Sequence, residues 1–271
     1  DHHPWIQIPV GVTKLFTNPS VNWCFETEPV AALDGRCIYQ PRGKVLGGTS
    51  SINGMVYMRG TPADYDGWRQ RGCTGWDWQS VLPYFKKSQH QARGSDALHG
   101  VGGPLNVSDI VEPFALSRAC VAAAIEAGIP ANNDFNGPEQ EGTGFYQFTI
   151  ASNGRRASAS RAFLDRTARN RSNLVIVTQA LAERIVIEEG RAVGIVSERH
   201  GEQRTAYADA EDIVAGGVFR SPQLLQLSGI GPGDVLQQAG VPVNVERASV
   251  GRNLHDHFKV HLTYKCYCAS P

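Results

Sequence analysis

The spacing of hydrophobic and polar residues changes about two thirds of the way along the chain. Residues 1–60 are mostly irregular, with glycine, proline and asparagine between short apolar runs. After them, apolar residues recur at helical spacing behind capping residues, which indicates helices separated by turns. The predicted helices begin at Thr61-Pro62 and after Asp77, and cover 113–127 and 158–169.

From residue 174 onward, apolar and polar positions alternate, which is typical of strands. The strands predicted in this way are 174–178, 183–188 and 192–198, with a tight turn at Glu189-Gly190. Near the end of the chain, residues 241–245 predict a strand, and the alternation over 260–264 predicts the start of another strand region.

A strand, a glycine turn and a helix are predicted to follow one another between residues 213 and 240. The short apolar strand 213–215 leads into Gly216-Gly217, and Ser221 is the expected N-cap of a helix with Pro222 at its first position. Such a unit presents backbone N–H groups to a phosphate or to a ring system.

Composition narrows the class of protein. The chain has 271 residues, of which 41% are hydrophobic and 19% charged, as in ordinary globular proteins. Its formal net charge is zero, which argues against a nucleic-acid surface, although five tryptophans could otherwise suggest base stacking. No apolar run reaches 18 residues, so we expect no transmembrane helix. The six cysteines form no C-x-x-C pair and are expected to be reduced. Reduced thiols make the cytoplasm the expected location.

The segment with the most distinctive chemistry is 41–60, which reads PRGKVLGGTSSINGMVYMRG. The Gly47-Gly48 pair allows the backbone to approach a flat or anionic ligand closely. The N–H groups of residues 49–51 could then donate to phosphate oxygens. The spacing is not that of a Walker A loop, and a Gly/Ser loop of this kind can also be purely structural.

This segment resembles the first signature of the glucose–methanol–choline (GMC) family of FAD-dependent oxidoreductases, and the resemblance continues over 61–87. Residues 217–232 resemble the second family signature, and 250–257 resemble a family turn. The resemblance covers nearly the whole chain and is strongest to the bacterial choline-dehydrogenase-like and alcohol-dehydrogenase-like branch. It adds the periphery of a bacterial inner membrane to the cytoplasm as an expected location.

The resemblance implies an α/β fold, α+β in part, of the FAD-binding two-domain type. We expect an incomplete version: a partial FAD-binding domain over 1–256 without the dinucleotide fingerprint, and the start of an antiparallel substrate-domain sheet over 257–271. It also implies these cofactor-binding positions: Val45, Gly47, Gly48, Ser50, Asn53, Gly54, Met55, Val56, Ala182, Gly217, Asn253, Asp256 and His257. Ile52 stands where some relatives carry a histidine linked to FAD, so the expected FAD is non-covalent.

The activity implied by the resemblance is oxidation of a CH–OH group, with hydride transfer from an alcohol to flavin N5 to give an aldehyde or ketone. The expected electron acceptor is oxygen or a quinone. The family's catalytic His/Asn pair is expected beyond Pro271, so we expect no catalytic residue in this chain and no turnover by these 271 residues alone. The alternatives are a folded remnant without activity and a flavin-containing lyase of the same family.

Histidines and cysteines near the end of the chain offer a metal-site alternative. His255, His257 and His261 with Asp256 have a spacing that zinc could use, but the family turn accounts for part of this set. Cys266-x-Cys268 could also chelate, yet a strand end is the favoured interpretation. We therefore expect no metal, and we expect His90 and His99 to be solvated loop residues.

Overall fold

The computed structural model describes residues 3–257 and 259–265, and the chain divides after Leu174 into two compact units. Both helices and strands are present in each unit, as the mixed pattern predicts. The predicted pair Cys266 and Cys268 lies outside the described residues.

The first unit consists of short helices joined by long loops. Thr61 and Asp64 form a capping box at the start of α3, and the Asp77 carboxylate accepts a hydrogen bond from the Ser80 N–H at 3.1 Å at the start of α4. Both helix starts confirm the prediction. The helices are α1 (Pro4–Gln7), α2 (Val12–Leu15), α3 (Pro62–Gln70), α4 (Trp78–Ser88), α5 (Ala115–Glu126), α6 (Ala159–Phe163) and α7 (Arg166–Arg169), with 3₁₀ turns at Pro9–Gly11, Ala31–Leu33 and Gly48–Ser51.

The strands of the first unit are only two or three residues long. They are β1 (Phe25–Glu26), β2 (Tyr39–Gln40), β3 (Val56–Tyr57), β4 (Gln89–Gln91), β5 (Leu105–Val107) and β6 (Gln147–Phe148). β1 pairs with β2 and β3 with β6 in antiparallel fashion, whereas β4 and β5 are parallel. An apolar cluster of Ile6, Leu15, Val21 and Ile52 lies beneath the loops, and Val45 packs against it.

The second unit is built on an antiparallel sheet of three strands in the order β7-β8-β9. Glu189 and Gly190 have φ angles of +49° and +78°, as the predicted tight turn between β7 and β8 requires. α8 packs on β7, and β10 pairs with β11 in parallel. The elements are β7 (Leu181–Glu188), β8 (Arg191–Arg199), β9 (Glu202–Tyr207), α8 (Gly217–Leu227), β10 (Ile230–Gly231), α9 (Gly233–Gln238) and β11 (Val245–Glu246).

Two helix predictions need correction. The helix expected over 158–169 is interrupted, because Asp165 acts as the N-cap of α7 and accepts a hydrogen bond from the Ala168 N–H at 2.7 Å. The helix expected to begin at Ser221 begins at Gly217 instead, so Pro222 lies inside α8. The Ser-Pro pair is typical of a helix start, but here the helix has completed its first turn before reaching it.

The strand predictions over 174–178 and 213–215 are wrong. Val175 and Ile213 are 83% and 76% exposed, and no strand of the described residues pairs with either segment. A strand depends on hydrogen bonds to a neighbour, so alternation or apolar character alone does not form one. Residues 259–265 likewise form no strand, and only Val245 of the expected region 241–245 belongs to one, the two-residue strand Val245–Glu246. The polar strand β9, exposed along its whole length, was not predicted.

Candidate cofactor site

The Gly47-Gly48 pair forms a turn whose backbone lies in the left-handed region. Gly47 has a φ of +89° and Gly48 a φ of +55°. A Cβ on Gly47 would lie 2.6 Å from the Ser51 Oγ and 3.1 Å from the Ser160 backbone nitrogen. At Gly48 no atom of the described residues lies within 4 Å of the corresponding position. One side of the turn is therefore packed against protein, and the other is open enough for a ligand to approach the backbone.

Serine side chains hold this turn from inside. The Ser50 hydroxyl donates to the Gly47 carbonyl and accepts from the Ala159 N–H, at 2.5 and 2.9 Å. The hydroxyl of Ser51, which is fully buried, donates to the Leu46 carbonyl at 2.9 Å. These hydroxyls shape the loop, so the groups left to meet a ligand are mainly backbone groups.

The next residues, 53–56, form a bend around Met55. Met55 has a φ of +62°, which is unfavourable for a residue with a Cβ and costs on the order of 1 kcal/mol. Its N–H donates to the Asn53 Oδ1 at 3.1 Å, and its carbonyl accepts from the Thr149 N–H at 2.8 Å. Strain of this kind persists only where surrounding contacts hold the backbone, as they do here.

Arg156 holds the same loop from beneath. Its side chain is fully buried, and one terminal nitrogen donates to the Asn53 carbonyl at 2.7 Å, the Asn53 Oδ1 at 2.9 Å and the Ser50 carbonyl at 3.1 Å. The Nε atom donates to the Ile6 carbonyl at 3.1 Å. Burial lowers the pKa of the guanidinium to about 10. One side chain thus joins the N-terminal helix region to both ends of the segment 50–53.

A cavity of about 400 Å³ lies beside Met55 within the first unit. Its lining is mainly apolar and includes Pro9, Phe148 and Ile150, together with the carboxylate-bearing Asp109. The Asp109 carboxylate accepts hydrogen bonds from Arg93 and from the Gln147 amide, both at 2.9 Å. The hydrogen bond from Arg93 holds the pKa of Asp109 below its ordinary value, so this carboxylate is ionised at neutral pH.

These observations test whether the first unit fits FAD. An open glycine backbone suits a pyrophosphate or a flat ring, the bend at Met55 lies next to a largely apolar cavity, and a buried cation lies under the loop. The residues fit the cofactor. The eight predicted positions between Val45 and Val56 fall in one continuous loop, with Gly54 and Val56 exposed and Met55 buried.

The five remaining predicted positions belong to the second unit, where they lie in three separate segments of the chain. Ala182 lies in β7 opposite Ser197, and Gly217, with a φ of +85°, is the first residue of α8. Asn253, Asp256 and His257 lie in an exposed segment without regular structure, where the His257 N–H donates to the Asp256 carboxylate at 2.8 Å.

Two buried residues of the first unit differ from what the sequence indicates. Arg156 is not among the predicted positions, and its burial could not be inferred from its polar neighbours. His99 is 2% exposed, so the expectation of a solvated histidine is wrong. Its Nδ1 lies 2.9 Å from the Asp96 carboxylate and its Nε2 lies 3.4 Å from Asp134. The sequence neighbour Asp96 is one of its two partners, so the polar residues around His99 pair with it and do not indicate exposure to water.

Comparison with known proteins identifies the family. The model of the GMC oxidoreductase family matches residues 14–259. The chain belongs to the GMC oxidoreductase family. An oxygen-dependent choline dehydrogenase from Vibrio vulnificus is 44% identical over 98% of this chain and 48% of its own length. The chain thus spans about half the length of the curated relatives that it matches.

Solved GMC structures show the same fold. Pyridoxine 4-oxidase from Mesorbium loti aligns with a TM-score of 0.89 at 34% identity, over 95% of this chain and 50% of that chain. An FAD-dependent oxidoreductase from Chaetomium thermophilum aligns with a TM-score of 0.80 at 29% identity, over 90% and 44% of the two chains. The predicted family, fold class and FAD cofactor are confirmed.

Two further features of the described part of the chain bear on the site. No group of three His, Cys, Asp or Glu side chains there is placed to hold a metal ion. No helix within residues 3–257 and 259–265 is both long enough and apolar enough to cross a membrane.

Proposed function

We propose that the protein is an FAD-dependent oxidoreductase that oxidises the CH–OH group of a small alcohol, with choline as the first candidate substrate. The observation that carries this proposal is the glycine turn and strained Met55 bend beside the cavity, in a chain whose relatives at 41–44% identity are named choline dehydrogenases. The electron acceptor is oxygen or a quinone.

The proposed roles are those that the family resemblance implies for each position. Val45, Gly47, Gly48 and Ser50 shape a backbone that holds the cofactor, and residues 53–56 lie along its ring. Ala182, Gly217, Asn253, Asp256 and His257 are the proposed cofactor positions of the second unit. When bound, FAD supplies a two-electron acceptor for the hydride of the alcohol. We also propose that the FAD is non-covalent, because Ile52 is a buried aliphatic residue with no nucleophile.

The cavity lining orients and encloses an alcohol but does not deprotonate it. Asp109, which is the carboxylate in the lining, is already ionised and hydrogen-bonded to Arg93 and Gln147. Its lowered pKa makes it a weak base. The proton of the substrate hydroxyl is therefore expected to go to a group outside this lining.

A matched pair of glycine variants tests the cofactor site. Gly48 and Gly35 both have positive φ angles, +55° and +72°, and at neither position would an added Cβ lie within 4 Å of an atom of the described residues. Gly48→Val and Gly35→Val therefore add the same volume and similar backbone strain. Both variants are made in the protein expressed from its complete gene, and FAD is titrated into the flavin-stripped protein.

The proposal expects Gly48→Val to weaken FAD binding at least 100-fold and Gly35→Val to leave it within threefold. Equal affinities for the two variants would remove Gly48 from the site. Turnover of choline is then compared with turnover of its uncharged analogue, 3,3-dimethylbutan-1-ol. Loaded FAD without turnover of any alcohol would favour the lyase alternative, and absence of any FAD affinity would favour the inactive remnant.

A further inference from the structure

Arg156 carries a buried charge that no acidic group of the described residues balances. Its side chain is fully buried, and no carboxylate oxygen of the described residues lies within 4.0 Å of the guanidinium. Its hydrogen-bond acceptors are three backbone carbonyls and the Asn53 amide oxygen, all of them neutral. The second terminal nitrogen is buried and has no hydrogen-bond partner among the residues that the structure describes. Buried charges in proteins are normally paired, so this arrangement needs an explanation.

Arg59 is another buried arginine of the same unit, and its charge has different surroundings. It is 5% exposed and also donates to backbone carbonyls, those of Leu98 and Asn136. Its guanidinium, however, lies 5.8 Å from the ring centroids of both Trp78 and Phe85, whose electron-rich faces attract a cation. Arg156 has no such ring contact in the described structure.

A purely structural role explains only part of the Arg156 arrangement. Neutral donors could satisfy the carbonyls of Ser50 and Asn53, and a neutral side chain would avoid the cost of burying a charge. That cost is visible in the pKa, which burial lowers to about 10 while leaving the group charged at neutral pH. The position of the charge, directly beneath the loop 50–53, points to a negative group on the other side of that loop.

We propose that Arg156 is a positioning residue whose charge acts through the loop 50–53 on bound FAD and favours its reduced, more negative state. The inference rests on the proposed function, because it requires FAD to lie along residues 53–56. A fixed charge in a site shielded from water stabilises negative charge at low reorganisation cost. Without that charge, the reduced cofactor should be harder to form.

Charge and geometry are separated by two substitutions that both remove the guanidinium fork. Arg156→Lys keeps the charge, and Arg156→Gln loses it. Asn53→Asp leaves Arg156 in place and adds a negative partner, while its carboxylate can still accept the two hydrogen bonds that the Asn53 Oδ1 accepts now. Arg155→Gln, at the exposed neighbouring arginine, is the matched control. The readout is the midpoint potential of FAD in the protein expressed from its complete gene.

The proposal expects Arg156→Gln and Asn53→Asp each to shift the equilibrium at least tenfold toward oxidised FAD, which is about 30 mV for a two-electron couple. In Arg156→Lys and Arg155→Gln, the equilibrium between oxidised and reduced FAD should stay within threefold of that in the wild type. If Arg156→Gln does not fold, the proposal can still be contradicted, because it cannot hold if the potential is unchanged in Asn53→Asp or shifted tenfold in Arg156→Lys. Equal shifts in the Lys and Gln variants would also contradict it and would leave Arg156 with a purely structural role.

A wild-type protein without FAD would overturn the proposed function together with this inference, whereas an FAD-loaded protein insensitive to these charges would overturn only the inference.

Discussion

The two units of this chain differ in how their buried polar groups are hydrogen-bonded. The second unit relies on the ladder of β7, β8 and β9, and the one polar side chain that is buried among its described residues is Ser228. The first unit has strands of two or three residues, and twelve polar side chains are buried among its described residues. They are Asn22, Ser51, Arg59, Gln89, Gln91, His99, Asn132, Asn136, Gln147, Arg156, Ser158 and Ser160.

This difference indicates where function resides. A sheet supplies its own hydrogen bonds and tolerates many sequences, whereas an irregular loop must have its buried backbone groups paired by specific side chains. The loop proposed to hold FAD belongs to the second kind. We therefore expect the first unit to be most sensitive to loss of polar side chains and the second to loss of apolar ones.

The largest effect is expected for Arg156→Met. The change removes four hydrogen bonds to buried acceptors on Ile6, Ser50 and Asn53, and should lower the free energy of unfolding of the first unit by about 3–5 kcal/mol. Urea denaturation measures the loss, and hydrogen exchange locates it. Arg155→Met is the control and should change the stability by less than about 0.5 kcal/mol. Similar losses of stability in both variants would contradict the view that the Arg156 side chain holds the loop 50–53 in place.

The matching test in the second unit is Ile185→Ala. Ile185 is 6% exposed in β7, and removing its buried methyl groups should cost about 2–4 kcal/mol. Ser228→Ala should cost less, about 1–2 kcal/mol, since it leaves the Ile185 N–H without its 2.7 Å acceptor. If Ser228→Ala proves the more destabilising of the two in urea, the second unit depends on polar anchoring as the first does, and the comparison fails.

A smaller effect is expected for Gly47→Ala. The added methyl group would meet the Ser51 Oγ at 2.6 Å at a φ of +89°, so the variant should lose about 2–3 kcal/mol. Gly35→Ala has a positive φ without any close contact and should lose only about 1–2 kcal/mol from strain. Thermal unfolding of the two variants separates contact from strain, and equal melting temperatures would show that Gly47 is not tightly packed.

The smallest effect is expected for Asp109, through the dependence of the stability of the fold on acidic pH. Its pKa is lowered in the folded protein, so its ion pair with Arg93 stabilises the fold above the pKa of the unfolded state, about 4, and this contribution is lost as pH falls through the folded pKa. Because its side chain is 45% exposed, the contribution at pH 7 should be below about 1 kcal/mol. Asp109→Asn should flatten the stability curve between about pH 5 and pH 2. An unchanged curve would mean that the pair contributes nothing.

Elements with local signals were predictable from the sequence. Thr61 and Asp77 cap their helices through contacts three residues away, and Glu189-Gly190 forms its turn through the positive φ angles of its own two residues. The family and its cofactor followed from long signatures that appear in order. Local signals failed where pairing decides the outcome. Segment 174–178 has the residue pattern of a strand but no partner among the described residues, whereas the exposed strand β9 lacks that pattern and forms by pairing with β8 across the turn at His200 and Gly201.

The sequence names the positions of the candidate site, and these stay predictions, but it does not indicate how the positions are arranged in space. The loop 45–56 was singled out by its resemblance to the first family signature. Its supports come from far along the chain, since Arg156 lies more than a hundred residues after Ser50. The buried His99 illustrates the same limit, because its partner Asp134 is not a sequence neighbour. The predicted domain boundary between 256 and 257 stays a prediction.

Hydrogen–deuterium exchange with and without FAD tests the central claim, that this loop of the first unit holds the cofactor, most directly. Flavin-stripped protein expressed from its complete gene is compared with the same protein after FAD is added back. The account predicts slower exchange over residues 45–56, and FAD that is released intact on denaturation, as expected for a non-covalent cofactor. Exchange over 45–56 that does not change while FAD is bound would place the cofactor elsewhere and contradict the account.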